Sequence, residues 1–119
     1  MAKNHVQVGA TMPWTNGTGS DVASGDVVVV GNFVGVALGD IADGAAGELA
    51  IEEVWEVPKN NALVIAQGDA VYWDVADGEM NKTAEDNYYA GLAFAGAAET
   101  ATTVKVKLGA YGLLTNLEA

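Results

Sequence analysis

Cysteine is absent from the 119 residues, so disulfides, thiolate metal sites and thiol nucleophiles are excluded, and the chain suits a reducing cytosol. Arginine is absent too; the five cations are Lys3, Lys59, Lys82, Lys105 and Lys107. The chain therefore lacks the bidentate fork that grips phosphates and guanine edges. The single histidine, His5, rules out a multi-histidine metal site within one chain. No Gly-x-x-x-x-Gly-Lys-Ser/Thr phosphate loop occurs. No apolar run approaches the ~20 residues that a membrane helix needs. The opening from Met1 to Asn16 lacks the charged n-region and apolar h-region of a secretion signal. Basic charge is scarce: 16 acidic residues outweigh the lysines and set a formal net charge of −11. Such a chain is repelled by nucleic acids and anionic membranes, so neither is expected as a partner.

What is present points to short strands. Half of the residues are hydrophobic, which is too many for a disordered chain. The length is that of one domain, able to bury roughly two thirds of its unfolded surface. Glycine is abundant, at 15 residues, against 2 prolines, which implies many tight turns. His5-Val6-Gln7-Val8 alternates and reads as a first strand or an N-terminal arm. Thr15 to Gly25 reads as loop. Val27 to Val30 reads as a strand buried on both faces, Gly31-Asn32 as a two-residue hairpin, and Phe33 to Leu38 as its return. Glu48 to Val57 is the longest strand expected, with a β-bulge at Glu52-Glu53 restoring its alternation and Pro58 ending it. Ala70 to Asp74, Glu79 to Thr83, Tyr88 to Ala95 and Thr102 to Leu108 complete the strands, with Asp77-Gly78 as a hairpin turn. Ala62 to Ala66 and the tail from Tyr111 fit no element. No window sustains a 3.6-residue apolar period free of glycine, so little helix is expected.

The strands also echo one another. Gly25-Asp26-x-Val28 recurs as Gly68-Asp69-x-Val71, and Gly35-Val36-Ala37-Leu38 recurs as Gly91-Leu92-Ala93-Phe94. The fold expected is all-β: a small glycine-rich barrel or sandwich built from two pseudo-repeated halves. Residues 1–24 read as an N-terminal arm and loop, 25–108 as the core domain and 109–119 as a C-terminal tail.

Catalytic chemistry is thin. His5 has no orienting partner in the sequence and reads as a solvated or contact residue. Asp74-Val75-Ala76-Asp77-Gly78-Glu79 fails the spacing of a calcium loop and reads as a turn with acidic caps. Glu48, Glu52, Glu53 and Glu56 read as a solvated strand face rather than as a paired-carboxylate site. Lys105 and Lys107 alternate with apolar residues, as on a half-exposed strand. Trp55 and Trp73 read as core. Trp14, outside any strong strand pattern, is a candidate for packing against another chain. No metal and no cofactor is expected.

These residues carry a resemblance. Met1-Ala2-Lys3-Asn4-His5-Val6-Gln7 is similar to the opening of the small tailed-phage capsid cement, or decoration, proteins, a family formerly catalogued as a domain of unknown function. Ser24 to Val29 and Phe33 to Leu38 resemble that family's Gly-Asp-x-Val and Gly-Val-Ala blocks. Val54 to Lys59 and Gln67 to Asp74 follow its mid-chain blocks in order, and Gly91-Leu92-Ala93 and Val104 to Leu108 its close. The chain departs from the pattern at Trp14, at Glu52-Glu53 and in its longer tail. The resemblance implies a non-enzymatic virion protein, made in the host cytoplasm and bound to the outer surface of an assembled capsid. Its partners would be the major capsid protein and, as a homo-trimer, its own copies. His5, Val6, Val8, Met12 and Trp14 are the candidate capsid or subunit contacts. Two other readings remain at this stage. A carbohydrate- or host-surface-binding β module would need Tyr72, Tyr88, Tyr89 or a tryptophan exposed in a shallow groove. A small acid–base enzyme would need two acidic residues converging in a buried cleft.

Overall fold

At Gly31-Asn32 the valine run turns back on itself. The positive φ, +59°, falls on Gly31 and not on Asn32, the pattern of a type II′ hairpin. The hairpin joins β2 (Val27–Val30) to β3 (Phe33–Ala37). The structure, a computed structural model, describes Lys3, Asn4 and residues 6–109. Among these residues no helix forms. The other strands are β1 (Thr11–Thr15), β4 (Ala46–Ala50), β5 (Val54–Pro58), β6 (Ala70–Asp74), β7 (Glu79–Asn81), β8 (Tyr88–Ala93) and β9 (Thr103–Leu108). They build two antiparallel sheets, ordered β1-β4-β3-β2 and β5-β9-β8-β6-β7. The protein is all-β.

Two sequence expectations need correction. The first strand is Thr11–Thr15, not His5 to Val8. Met12 and Trp14 share one face and pack on the cluster of Val22, Val28, Ala37, Ile41 and Leu49, whereas Val6 and Val8 are exposed. The long strand expected from Glu48 to Val57 is two strands in different sheets. No bulge carries the strand through: Glu53 takes φ +77°, left-handed, and turns the chain out of the first sheet into the second. Its carbonyl accepts the N–H of Leu108 at 2.9 Å, which fixes that turn to the end of β9.

The sheets share a core. Val34 and Val36 of the first sheet join Val57, Val71, Trp73, Met80, Val104, Val106 and Leu108 of the second in one buried cluster. The valine run serves both sides: Val27 and Val29 pack on this shared cluster, Val28 and Val30 on the cluster of the first sheet. β2 is thus buried on both faces, as its sequence implies.

The pairings of the two sheets correspond over part of their length, up to a register shift between Val71 and Tyr72 in the second. Thr11 to Thr15 pair with Ala50 to Ala46, and Val54 to Pro58 with Lys107 to Thr103. Val27 faces Val36 and Val28 faces Gly35; Ala70 faces Leu92 and Val71 faces Gly91. The loops match as well. Gly25 N–H donates to Ala37 O and Gly68 N–H to Ala93 O, at 2.8 and 2.9 Å. The carboxylates of Asp26 and Asp69 accept the N–H groups of Ala23 and Ala66, at 3.0 and 2.8 Å. The second sheet adds β7 outside β6, and a parallel bridge from Lys59 to Met80 ties β7 back to the end of β5.

Candidate functional site

Burial explains the polar residues that a catalytic reading would seize on. Asn16 and Lys59 stand at corresponding positions, one residue after β1 and β5, and both are buried. Asn16 Nδ2 donates to Ser20 O at 2.7 Å and Ile41 O at 3.0 Å, while its Oδ1 accepts from Thr18 N–H and Oγ1. Lys59 Nζ donates to Asn60 O at 2.6 Å, Ala101 O at 3.1 Å and Glu99 O at 3.3 Å. Each side chain is satisfied by loop carbonyls that it gathers around itself, as a buried polar group requires. Both read as structural locks.

The four glutamates of the expected long strand are divided between two sheets. Glu48 stands on β4 and Glu56 on β5, in different sheets, with Glu52 and Glu53 in the connection between them. Glu56 accepts a bond from Thr103 Oγ1 at 2.6 Å. The Ala66 N–H, and then Lys82 at 3.3 Å, hold the Asp69 carboxyl below the ordinary carboxylate range. That is the opposite of what a general acid requires. Asp74 caps its hairpin: its Oδ1 accepts from Asp77 N–H at 3.1 Å and its carbonyl from Gly78 N–H at 2.7 Å. Among the described residues no group of three or more histidine, cysteine or acidic side chains is placed to hold a metal ion.

The aromatic residues do not form a stacking platform. Tyr72 and Tyr89 are buried against each other, with ring centroids 5.5 Å apart, and burial, with Tyr72 second, pushes the Tyr89 phenol up. Trp73 is core, and Trp55 packs on the same cluster with its Nε1 donating to Glu52 O at 2.7 Å. Tyr88 is partly exposed, in a groove rimmed by Asp74, Glu85 and Asp86.

The contact residues expected from the sequence divide into two groups. Val6 and Val8 are 89% and 77% exposed, on a segment that belongs to no strand. Met12 and Trp14 are half-buried on β1 against the chain's own core, so Trp14 is not the free aromatic that its sequence context suggests. His5 lies outside the described residues.

Sequence reasoning missed a further surface. On the outer face of the second sheet Leu92 pairs with Lys107, which pairs with Val54; one step along, Phe94 N–H donates to Lys105 O. Leu92, Phe94, Val54 and both lysines are exposed. The signal was present in Gly91-Leu92-Ala93-Phe94, where the small residues point inward and the large ones outward. An apolar cleft of about 540 Å³ also opens beside the hairpin from Val30 to Val34, with Ile51 and Gly109 on its other wall.

No curated protein and no solved structure matches the chain. A family model does, that of the phage cement protein, over residues 6–108. These residues take in every strand of both sheets and the exposed segment before β1, and the chain belongs to the phage cement protein family, structural proteins of the virion.

Proposed function

We propose that the protein binds the outer surface of an assembled capsid and stabilises it by adhesion, without performing a reaction. The observation that carries this reading is the family membership of nearly the whole chain. Ligation of the assembled shell, and not of separated subunits, favours the shell by mass action. Individual contacts of ordinary size, on the order of 1,600 Å² or less, suffice when several subunits are bridged at once. The major capsid protein is the partner, and the protein acts as a homo-trimer. The exposed arm with Val6 and Val8 makes subunit or capsid contacts. His5 belongs to the same contact set, and Met12 and Trp14 anchor the arm's root. The exposed Leu92, Phe94 and Val54, flanked by Lys105 and Lys107, form a second contact face on an otherwise acidic molecule. The formal −11 charge keeps densely coated particles apart.

Co-sedimentation tests this. The protein should pellet with empty shells of the phage that encodes it and stay in solution with dissociated capsid subunits. Failure to pellet with intact shells, at saturating protein, overturns the reading.

A further inference from the structure

The two sheets have four edges, and three of them are guarded. The edge strand β1 carries Pro13 and the edge strand β5 carries Pro58, the only two prolines in the chain. Asn16 N–H bonds Ala45 O and Lys59 N–H bonds Thr102 O, so along β1 and β5 residues 12, 14 and 16, and 55, 57 and 59, face their partners. Pro13 and Pro58 therefore sit at positions whose backbone nitrogen points outward, where proline blocks further pairing. The third edge, β7, is three residues long, has polar Glu79 and Asn81 at its ends, and is tied by its bridge to Lys59.

The fourth edge is β2, and among the described residues nothing guards it. It is four consecutive valines without charge, proline or bulge. Ala37 N–H donates to Asp26 O, so Asp26, Val28 and Val30 face β3, and Val27 and Val29 direct their backbone groups outward. The corresponding residue to Val29 in the second sheet is Tyr72, and there β7 takes up the outward side, with Tyr72 paired to Asn81. The first sheet has the same strand order and, among the described residues, lacks that strand.

We propose that the missing strand is supplied by a second copy: residues 6–9 of one chain pair with the outward edge of Val27–Val30 in the next. This deepens the homo-oligomeric reading above and rests on it. The segment matches β2 in length, alternates as Val6-Gln7-Val8, exposes both valines and has no hydrogen bond within the chain among the described residues. It does not reach its own β2. The arm leaves from β1, at the far side of the sheet, about 14 Å away at ~4.8 Å per strand, and four residues span only about 13 Å. Donation from one edge to the opposite edge of the next copy is head-to-tail, and in the homo-trimer proposed above three such contacts close a ring.

The test uses the full-length chain, a chain lacking residues 1–9, and Val8→Pro, which alters a segment outside the fold. Sedimentation velocity and amide exchange at Val27 and Val29 are measured on each. The full-length chain should self-associate and protect both amides. Val8→Pro should weaken association and accelerate those amides by about tenfold or more, with thermal unfolding of the monomer unchanged. The truncated chain should be monomeric. Mixing Val8→Pro, which keeps the open edge, with Val29→Pro, which keeps the arm, should restore one interface per pair and give a dimer and nothing larger. A monomeric full-length chain overturns the proposal, as does association or amide protection that survives loss of the arm. Shell binding is scored separately. If truncation abolishes shell binding but leaves the oligomer, the proposal is overturned and the cement reading stands. If the oligomer behaves as expected and no variant binds shells, the proposal stands and the cement reading falls.

Discussion

Two sheets of the same strand order have been finished in different ways. The second closes on itself: β7 covers β6, a bridge from Lys59 to Met80 ties β7 to β5, and a buried ammonium gathers three loop carbonyls at the corner. The first has no strand beyond β2 among the described residues, and its corner is held by the neutral amide of Asn16. The same backbone plan therefore ends in a covered strand in one half and, among the described residues, in an uncovered one in the other. The difference arises from a short insertion, Val75 to Asn87, and from one residue at the corner.

The corresponding positions give paired tests of that contrast. The largest effect is expected at Gly91. A Cβ there would collide with the Lys107 carbonyl, and the residue has φ +152°. Gly91→Ala should cost about 3 kcal/mol or more. Gly35 occupies the matching place, but its Cβ would meet Ala50 O at 3.1 Å with an ordinary φ, so Gly35→Ala should cost about 1 kcal/mol. Urea unfolding of both variants checks the ratio, and equal losses would break the comparison.

The corner locks come next. Lys59→Ala removes three charge-assisted bonds and should cost about 3 kcal/mol, whereas the two carbonyls that Asn16 binds keep Thr18 Oγ1 and Val22 N–H as donors, so Asn16→Ala should cost about 2 kcal/mol. Denaturant midpoints measure this, and a larger loss at Asn16 would reverse the ranking.

The smallest effect is at Asp69, whose ion pair with Lys82 is made possible by the insertion. Its carboxyl is held below its unfolded value, chiefly by the Ala66 N–H. Its contribution is therefore complete above the ordinary carboxylate range and is lost as pH falls through the folded value. Asp69→Asn should lower the thermal midpoint slightly at neutral pH and flatten its decline on acidification. Melting curves between neutral and strongly acidic pH check this, and parallel curves for variant and parent would refute it.

Much of the strand content was legible in the sequence because local chemistry dictates it. Val27 to Val30, the Gly31-Asn32 turn and the clean alternation of Thr103 to Leu108 need no tertiary information. The division between β4 and β5 was hidden, since Leu49, Ile51, Trp55 and Val57 share one parity and the break at Glu53 reads equally as a bulge within one strand. β1 was obscured by Pro13, which lowers strand propensity at the very place where an edge benefits from it. The burial of Lys59 was invisible, because lysine reads as surface until the three carbonyls around it are known. Of the candidate contacts, the exposure of Val6 and Val8 followed from an alternating segment with no partner. The half-burial of Trp14 depended on a cluster assembled from β2, β3, β4 and two loops. The open edge was beyond sequence reading altogether, because it exists only once strand order is known.

The claim at the centre of this account is that the protein works by strengthening an assembled shell. Thermal disruption of empty shells, followed by light scattering with and without saturating protein, tests it most directly. The account predicts that decorated shells withstand a higher temperature than bare ones, with the increment reduced when residues 1–9 are removed. Identical disruption temperatures for bare and decorated shells would contradict it.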